Sequence, residues 1–491
     1  MRSAWITLAC LLGAYVAFSR FRAWRRLAHV PGPKIAGFTD LWLIYKTWRG
    51  SLFEDLGEVC KRHGPLARIA PNHVVCGDPR EVRRLWAVRS QFDRASWYKG
   101  FRLDPPNDCT LSMCDADIHT ALRAKLAPGY GGKDIVGLHE HIDEGIARFV
   151  QLLEDKYLST PDQVVSVDFS RKVQYMTLDI ISKIAFGGAF GFMDNDADFF
   201  RYIKTTEDTI PMMQMFALIP WLVDMLQGPL GKTMMPTERD AFGLGPIMAT
   251  AKRVVAERFG EKKVDKPDML GSFVRHGLDQ REAESESLVQ IIAGSDTTAT
   301  ALRTIMTHVM TNLDVYRRLQ AEIDQGIAEG RISTPITDAE ARKLPYLQGC
   351  IKEGFRIWPP ITGVMPRISG EDATVCGVHI PAGTNVAWSA HAALRDREVF
   401  GADADFYRPD RWVRATEEQY RLMDNCVDLC FGSGRWGCLG RPVATIELNK
   451  MVPELLRRFD FAALNTERPI VNKFHGVLIQ QDLIVQITKR A

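Results

Sequence analysis

Apolar and polar positions alternate in several distinct ways along the chain. Ser3 to Ser19 runs seventeen residues without a charge. As a helix it spans roughly 25 Å at 1.5 Å per residue, just short of a thin bilayer. Arg20, Arg22, Arg25 and Arg26 follow it, against Arg2 alone before it. That asymmetry predicts an uncleaved membrane anchor with the C-terminal bulk in the cytosol. A cleaved secretory signal would have a shorter apolar core followed by small residues. Val30-Pro31-Gly32-Pro33 predicts a stiff break. Short β-type runs follow at Leu66 to Ile69 and His73 to Cys76, bounded by Gly64-Pro65 and Gly77-Asp78-Pro79. Residues 92–117 show no period and contain Pro105-Pro106, which predicts a long loop. A helix starts near Asp117 and places His119 and Arg123 on one face. From about 140 to 280 the pattern is helical and poor in strands, with a charged linker at 260–268. Glu282 to Leu313 then runs without proline, with Leu288, Ile291, Ile292, Leu302, Ile305, Met306 and Val309 at helical spacing. Leu344-Pro345-Tyr346 opens another helix, ended by Pro359-Pro360. Short strands are predicted near Val375, Val378 and Val386, and a last helix from Val443 to Leu456.

Composition narrows this little. The chain has 491 residues, 46% hydrophobic and 25% charged, as in ordinary globular proteins. A net charge of +2 implies no basic face for nucleic acid. Ten cysteines form no CxxC pair, and no histidine near Cys426 and Cys430 completes a zinc pattern. Reduced thiols and the lack of an N-x-S/T sequon agree with a cytosolic catalytic part. Two motif leads fail. Gly231-Lys232-Thr233 ends like a phosphate loop, but Leu226 stands where its first glycine belongs. Asp194, Asp196 and Asp198 begin like a calcium loop, but Phe199 replaces the glycine and Thr205 the closing glutamate.

Two stretches carry chemistry. The first is Phe431 to Gly440, FGSGRWGCLG, with four glycines around Cys438. Glycine lets a flat ligand approach the backbone. A cysteine near a helix N-terminus is favoured as thiolate, and one lone thiolate suits haem better than zinc. A buried structural cysteine beside a turn is the alternative. The second is Ala293-Gly294-Ser295-Asp296-Thr297-Thr298, a polar run of poor helix formers inside an apolar helix. Its hydroxyls can bond backbone carbonyls and bend the helix. Met212, Met213, Met215 and Phe216 either fill core gaps or line a channel.

FGSGRWGCLG resembles the haem-binding signature of the cytochromes P450, FxxGxRxCxG, through Phe431, Gly434, Cys438 and Gly440. The expected arginine stands one place early, at Arg435, with Trp436 in its position. AGSDTT resembles the family's AGx(D/E)TT motif. HTALR, the ExxR pair Glu353 and Arg356, and Phe406 to Trp412 with Arg411 resemble further family segments in family order. HTALRAKLAPGYGGK, GSDTTATALR and FGSGRWGCLG together look most like fungal members near pisatin demethylase.

The resemblance implies a mainly α fold with small β-sheets: an α-rich haem domain, a long central helix over the haem and a small β-rich part on the N-terminal side. It divides the chain into an anchor with basic flank (1–26), a proline-rich hinge (27–34) and one catalytic domain (35–491). It implies haem b, iron protoporphyrin IX, with Cys438 as axial ligand. His119, Arg123, Arg367 and either Arg435 or Trp436 would meet the propionates. Ala293 and Gly294 would leave a groove for dioxygen, while Asp296 and Thr297 handle protons. Glu353, Arg356 and Arg411 would form a buried charge triad that holds the cysteine loop. The implied activity is mono-oxygenation of a small apolar metabolite in fungal secondary metabolism, such as a terpenoid, polyketide or aromatic. Electrons would come from NADPH through NADPH-cytochrome P450 reductase, with cytochrome b5 as a further donor, at the endoplasmic reticulum membrane in single-pass form. Two other readings keep Cys438: an isomerase or dehydratase that needs no O2, and a non-catalytic membrane-anchored haem sensor. Asp296 and Thr297 speak against both.

Overall fold

The computed structural model describes residues 2–104, 107–228, 237–241, 244–261 and 263–490. Pro105-Pro106, Gly231-Lys232-Thr233 and one position of the 260–268 linker lie outside the described residues.

The polar run sits in the middle of a 31-residue helix, Gln280–Met310. Asp279 caps its start, with the Glu282 side chain bonding back to the cap N–H, so two orphan donors are satisfied reciprocally. Asn312 then caps the following helix, Leu313–Ala328, which ends the periodic stretch three residues earlier than the pattern suggests. The hydroxyls in the run are used internally. Thr297 Oγ1 donates to Ala293 O at 2.7 Å, and Ser295 Oγ to Ile291 O at 2.8 Å. This is how the helix tolerates them.

Seven helices position the site: α1 (Arg2–Arg26), α2 (Ala116–Tyr130), α3 (Phe169–Phe186), α4 (Tyr202–Ala217), α5 (Gln280–Met310), α6 (Pro345–Ile357) and α7 (Arg441–Leu456). α5 packs on α3, α6 and α7. Glycine makes two of these crossings close. A Cβ on Gly354 of α6 would stand 2.6 Å from Ile305 Cγ1, and one on Gly294 of α5 would stand 2.8 Å from Ile181 Cγ1 of α3. Met176, Ile180 and Ile184 of α3 and Leu302, Ile305 and Met306 of α5 are among its fully buried core residues.

The β part joins distant pieces of chain. Its sheet has strands β1 (Leu66–Ala70), β2 (His73–Cys76), β3 (Phe92–Arg94), β4 (Arg367–Ser369) and β5 (Asn385–Trp388), in the order β1-β2-β5-β4-β3. β2 runs parallel to β5, with Val74 opposite Val386; the other pairs are antiparallel. The expected loop at 92–117 therefore needs correction. It starts with a strand and a 3-10 turn, Ser96–Phe101, because β4 supplies hydrogen-bond partners from 270 residues away in sequence, roughly.

The N-terminal segment is fastened to the β part at its C-terminal end. α1 reaches Arg26, and its last turn is docked. Arg68 donates to Trp24 O and Ala23 O, each at 2.9 Å, and Trp24 stacks on Phe38 with centroids 5.7 Å apart. Leu27 and Val30 are in the core. Pro31 O accepts from the Arg68 N–H at 2.7 Å. Residues 27–34 are thus fastened to β1. Earlier in α1, Trp5, Leu11, Tyr15 and Phe18 are uncovered. Among the described residues no single helix is long and apolar enough to cross a membrane; one bent pair, α4 with Pro220–Leu226 at 118°, passes by length and composition.

Candidate haem-thiolate active site

The cysteine loop is shaped by its glycines and clamped by its neighbours. Gly434 has φ +64°, and a Cβ there would meet Trp86 O at 2.5 Å, so both conformation and space require glycine. The Cys438 N–H donates to Phe431 O at 2.7 Å. Phe431 packs on Phe355 of α6, centroids 4.9 Å apart, and Arg441 lies over its other side at 5.2 Å. Gly440 precedes the first residue of α7. Cys438 is exposed. Desolvation raises its thiol pKa, while the Gly440 and Arg441 N–H groups and the Arg123 and Arg441 charges pull it back. Those opposing groups are the ones that would favour a ligating thiolate. A cavity of 240 Å³ opens beside Cys438 between Arg83, Asp428 and Arg441. A larger groove of 1140 Å³ along Leu52–His63 contains none of the expected site residues.

A buried cluster of cations stands next to the loop without its own anions. Arg94 and Arg367 stack on Trp436, 4.5 and 5.5 Å from its ring centroid. Both also lie over Tyr98, at 4.6 and 5.5 Å, and His119 lies 4.2 Å from Trp436. All five side chains are buried. Arg94 Nε, Arg367 Nε and Nη1, Trp436 Nε1, His119 Nδ1 and Tyr98 Oη have no hydrogen-bond partner. Burial lowers Arg94 to about 10, helped by the charge of Arg367. Burial and then Arg94, Arg123 and Arg367 drive His119 down to about 3, so it is neutral. Buried guanidinium groups with free donors are costly unless an anion meets them. The two propionates of a haem are such anions, and the donor set fits them.

At the substituted position the two side chains diverge. The Trp436 indole faces this cluster. Arg435 turns away, donating to Val88 O at 3.0 Å and facing Asp93 at 3.6 Å. Arg123, expected at a propionate, commits Nη1 to Gly437 O at 2.5 Å and so braces the loop. Arg94 and Tyr98 are not among the expected residues, because residues 92–117 read as loop and the strand that carries Arg94 forms against β4.

The triad expected around α6 is assembled. Glu353 accepts from Arg356 Nε and Nη2, both at 2.7 Å, and lies 3.3 Å from Arg411 Nε. Trp412 Nε1 and the Arg408 N–H add bonds at 2.9 and 2.7 Å.

On α5, Ala293 is exposed, with Ile292, Gly294, Asp296 and Thr297 beside it half-buried. Gly294, expected in the dioxygen groove, instead makes room for Ile181. Asp296 points to α3, where Oδ1 accepts from Gln174 Nε2. Arg303 holds that amide from behind, its Nη2 donating to Gln174 Oε1 at 2.6 Å. Burial raises Asp296 to about 7 against the pull of Arg303, Ser295 and Gln174. Gln174 carries no motif, and Arg303, the last residue of GSDTTATALR, was not singled out by itself; only the packing of α3 on α5 brings them together. Of the rejected calcium-like trio, Asp196 pairs with Lys172 at 2.5 Å and Asp198 bonds the Ile203 and Lys204 N–H groups.

A thiolate donor, an anion cage and a titratable acid on one central helix define a haem-thiolate oxidoreductase. A family profile described as Cytochrome P450 matches residues 31–487, and the chain belongs to that family. Its cofactor is haem held by a cysteine thiolate, and its activity is that of a monooxygenase. It is 40% identical to cytochrome P450 monooxygenase ABA1 of Pyricularia oryzae, over 99% of this chain and 97% of the relative. It is 35% identical to cytochrome P450 monooxygenase aba1 of Botryotinia fuckeliana, over 94% and 92%. Cytochrome P450 monooxygenase abl1 of Leptosphaeria maculans is 33% identical over 97% and 86%.

Proposed function

We propose that the protein is a membrane-associated monooxygenase of fungal secondary metabolism. It takes two electrons from NADPH through NADPH-cytochrome P450 reductase, with cytochrome b5 as a further donor, and oxidises a C–H bond of a mostly apolar small molecule. The single observation that carries the reading is Asp296. It is a half-buried acid pushed up to about 7 in the same helical turn as Thr297, in a fold whose relatives are monooxygenases.

Haem, when bound, supplies the oxygen and electron chemistry. Cys438 would hold the iron, and Arg94, Arg367, Trp436 and His119 would receive the propionates. Asp296 holds a proton that Gln174 and Arg303 keep at a fixed place. Near neutral pH it can both take and give that proton, as a proton-feeding acid must. Thr297 presents its hydroxyl from the next position, anchored to Ala293 O. The apolar residues of α5 around the run exclude bulk water. Apolar walls favour an apolar substrate, since an unpaired charge there would be costly.

Membrane association, with the catalytic part cytosolic at the endoplasmic reticulum, is supported by the uncovered apolar side chains of α1. Trp221 and Met225, also exposed, extend that support to the bent pair.

Thr297→Ala tests the reading. It should bind haem and consume NADPH but release hydrogen peroxide in place of product. Unchanged coupling of NADPH to product refutes the proton-handling role. Reduced wild-type protein with carbon monoxide should show the red-shifted Soret band of thiolate ligation, and Cys438→Ser should lose it.

A further inference from the structure

Glu286 lies on α5, two turns before Ala293. At 3.6 residues per turn, Glu286, Ala293 and Thr297 fall within about 40° of one another around the helix, and Glu286 stands roughly 10 Å from Ala293 along it. This buried carboxyl is therefore on the face of the helix that carries the reactive positions. Burial raises it to about 7, against the pull of the Thr110 bonds and of Arg94, with Glu282 adding to the rise.

Its hydrogen bonds go to a different segment. Oε2 accepts from Thr110 Oγ1 at 2.8 Å, and Oε1 accepts from the Thr110 backbone N–H. Bonds of this kind to a buried carboxylate are the strong ones. The same segment is gripped from the other side by Arg94, whose Nη1 donates to the carbonyls of Thr110, Leu111 at 3.0 Å and Met113 at 3.3 Å. Residues 108–114 contain no helix or strand, so these side-chain bonds, with the Arg102–Asp108 pair at 2.7 Å and the Cys114 Sγ bond to Ala95 O at 3.4 Å, help to set where the segment lies. The Glu286 bond is the one that ties it to α5; the Arg94 bonds tie it to the cage beside Trp436.

We propose that Glu286 is a specificity-determining residue: by fixing Thr110 it holds residues 108–114 against the face of α5 and sets how bulky a ligand can sit beside Ala293 and Thr297. This rests on the reading of that face as the wall of the substrate pocket. An amide in place of the carboxyl preserves the tie, since its oxygen accepts from the Thr110 N–H and its nitrogen donates to the hydroxyl. The shape of the link matters, and the charge is dispensable.

The test uses the full-length, haem-loaded protein with two probes that bind through the same imidazole nitrogen, imidazole itself and the bulky triaryl compound clotrimazole. Both are read by the Soret shift. Glu286→Ala should speed clotrimazole association about tenfold or more and leave imidazole nearly unchanged. Amide hydrogen exchange of residues 108–114 should rise, with and without haem. Thr110→Val should do the same to a smaller degree, and Glu286→Gln should behave as wild type. If Glu286→Ala fails to fold, the contrast between Thr110→Val and Glu286→Gln decides. Unchanged exchange and unchanged clotrimazole kinetics in the folded variants overturn the proposal, because Arg94 alone would then hold the segment. Equal acceleration of both probes overturns it too, as general loosening. A wild-type protein that shows the thiolate carbon monoxide band but no Soret response to either probe would refute the pocket-wall reading, and this inference with it.

Discussion

Glu353→Gln removes one negative charge from a site that has no exposure at all. Its carboxylate meets two guanidinium groups, Arg356 at 2.7 Å and Arg411 at 3.3 Å, and also binds Trp412 and the Arg408 N–H. Glutamine keeps the shape but supplies one acceptor oxygen where two were used. Its new amide hydrogens would face donors. Breaking a buried pair in this way costs about 3–5 kcal/mol, against a total stability on the order of 5–15 kcal/mol. The loss is focused on the loop, because α6 also carries Phe355, on which Phe431 packs. Urea unfolding followed by circular dichroism should show a clearly lower midpoint. The reduced carbon monoxide spectrum at equal protein should show reduced haem content. Wild-type values for both in Glu353→Gln would refute the view that this charge cluster supports the cysteine loop.

Asp296 is pushed up to about 7, so its acid form is lost as pH rises through neutrality; turnover should fall above about pH 7, and Asp296→Asn should be slow with that alkaline limb abolished. Glu447, buried on α7 beside Thr298, keeps its proton up to about 8 against 4.5 for an ordinary glutamate. The folded state therefore binds more protons than the unfolded one across that window, and stability declines as pH rises through it; Glu447→Gln should flatten the decline, as read by unfolding midpoints from pH 5 to 8. A chain starting at Val30 loses Leu27 and two of the four carbonyls that hold the Arg68 guanidinium, at a cost of about 3 kcal/mol or more. One starting at Phe21 keeps them; equal midpoints for the two would refute the docked last turn of α1.

The motifs were legible because their chemistry is local. FGSGRWGCLG needs glycine where φ is positive and a cysteine beside a helix start, and both show in consecutive letters. The clash of AGSDTT with its apolar surroundings shows in the same way. The sheet was only half legible: β1 and β2 carry strong β-type runs, whereas Phe92-Asp93-Arg94 becomes a strand only because β4 lies alongside.

The sequence by itself determined the haem-thiolate class, the central helix, and the identities of Cys438, Asp296, Thr297, Glu353 and Arg356. They were read through motifs that resemble the family's, each confined to one element or one loop, where residue type and spacing stand in consecutive letters. Tertiary structure alone decided which side chains surround them. It turned Trp436 inward and Arg435 outward, brought Arg94 from β3 and Arg367 from β4 to one indole, and put Gln174 of α3 behind Asp296. It also gave Gly294 to Ile181 and Thr110 to Glu286. Each of these pairs lies tens to hundreds of residues apart in the chain. Burial and direction for such pairs arise from how whole elements pack, which no local pattern of residues records.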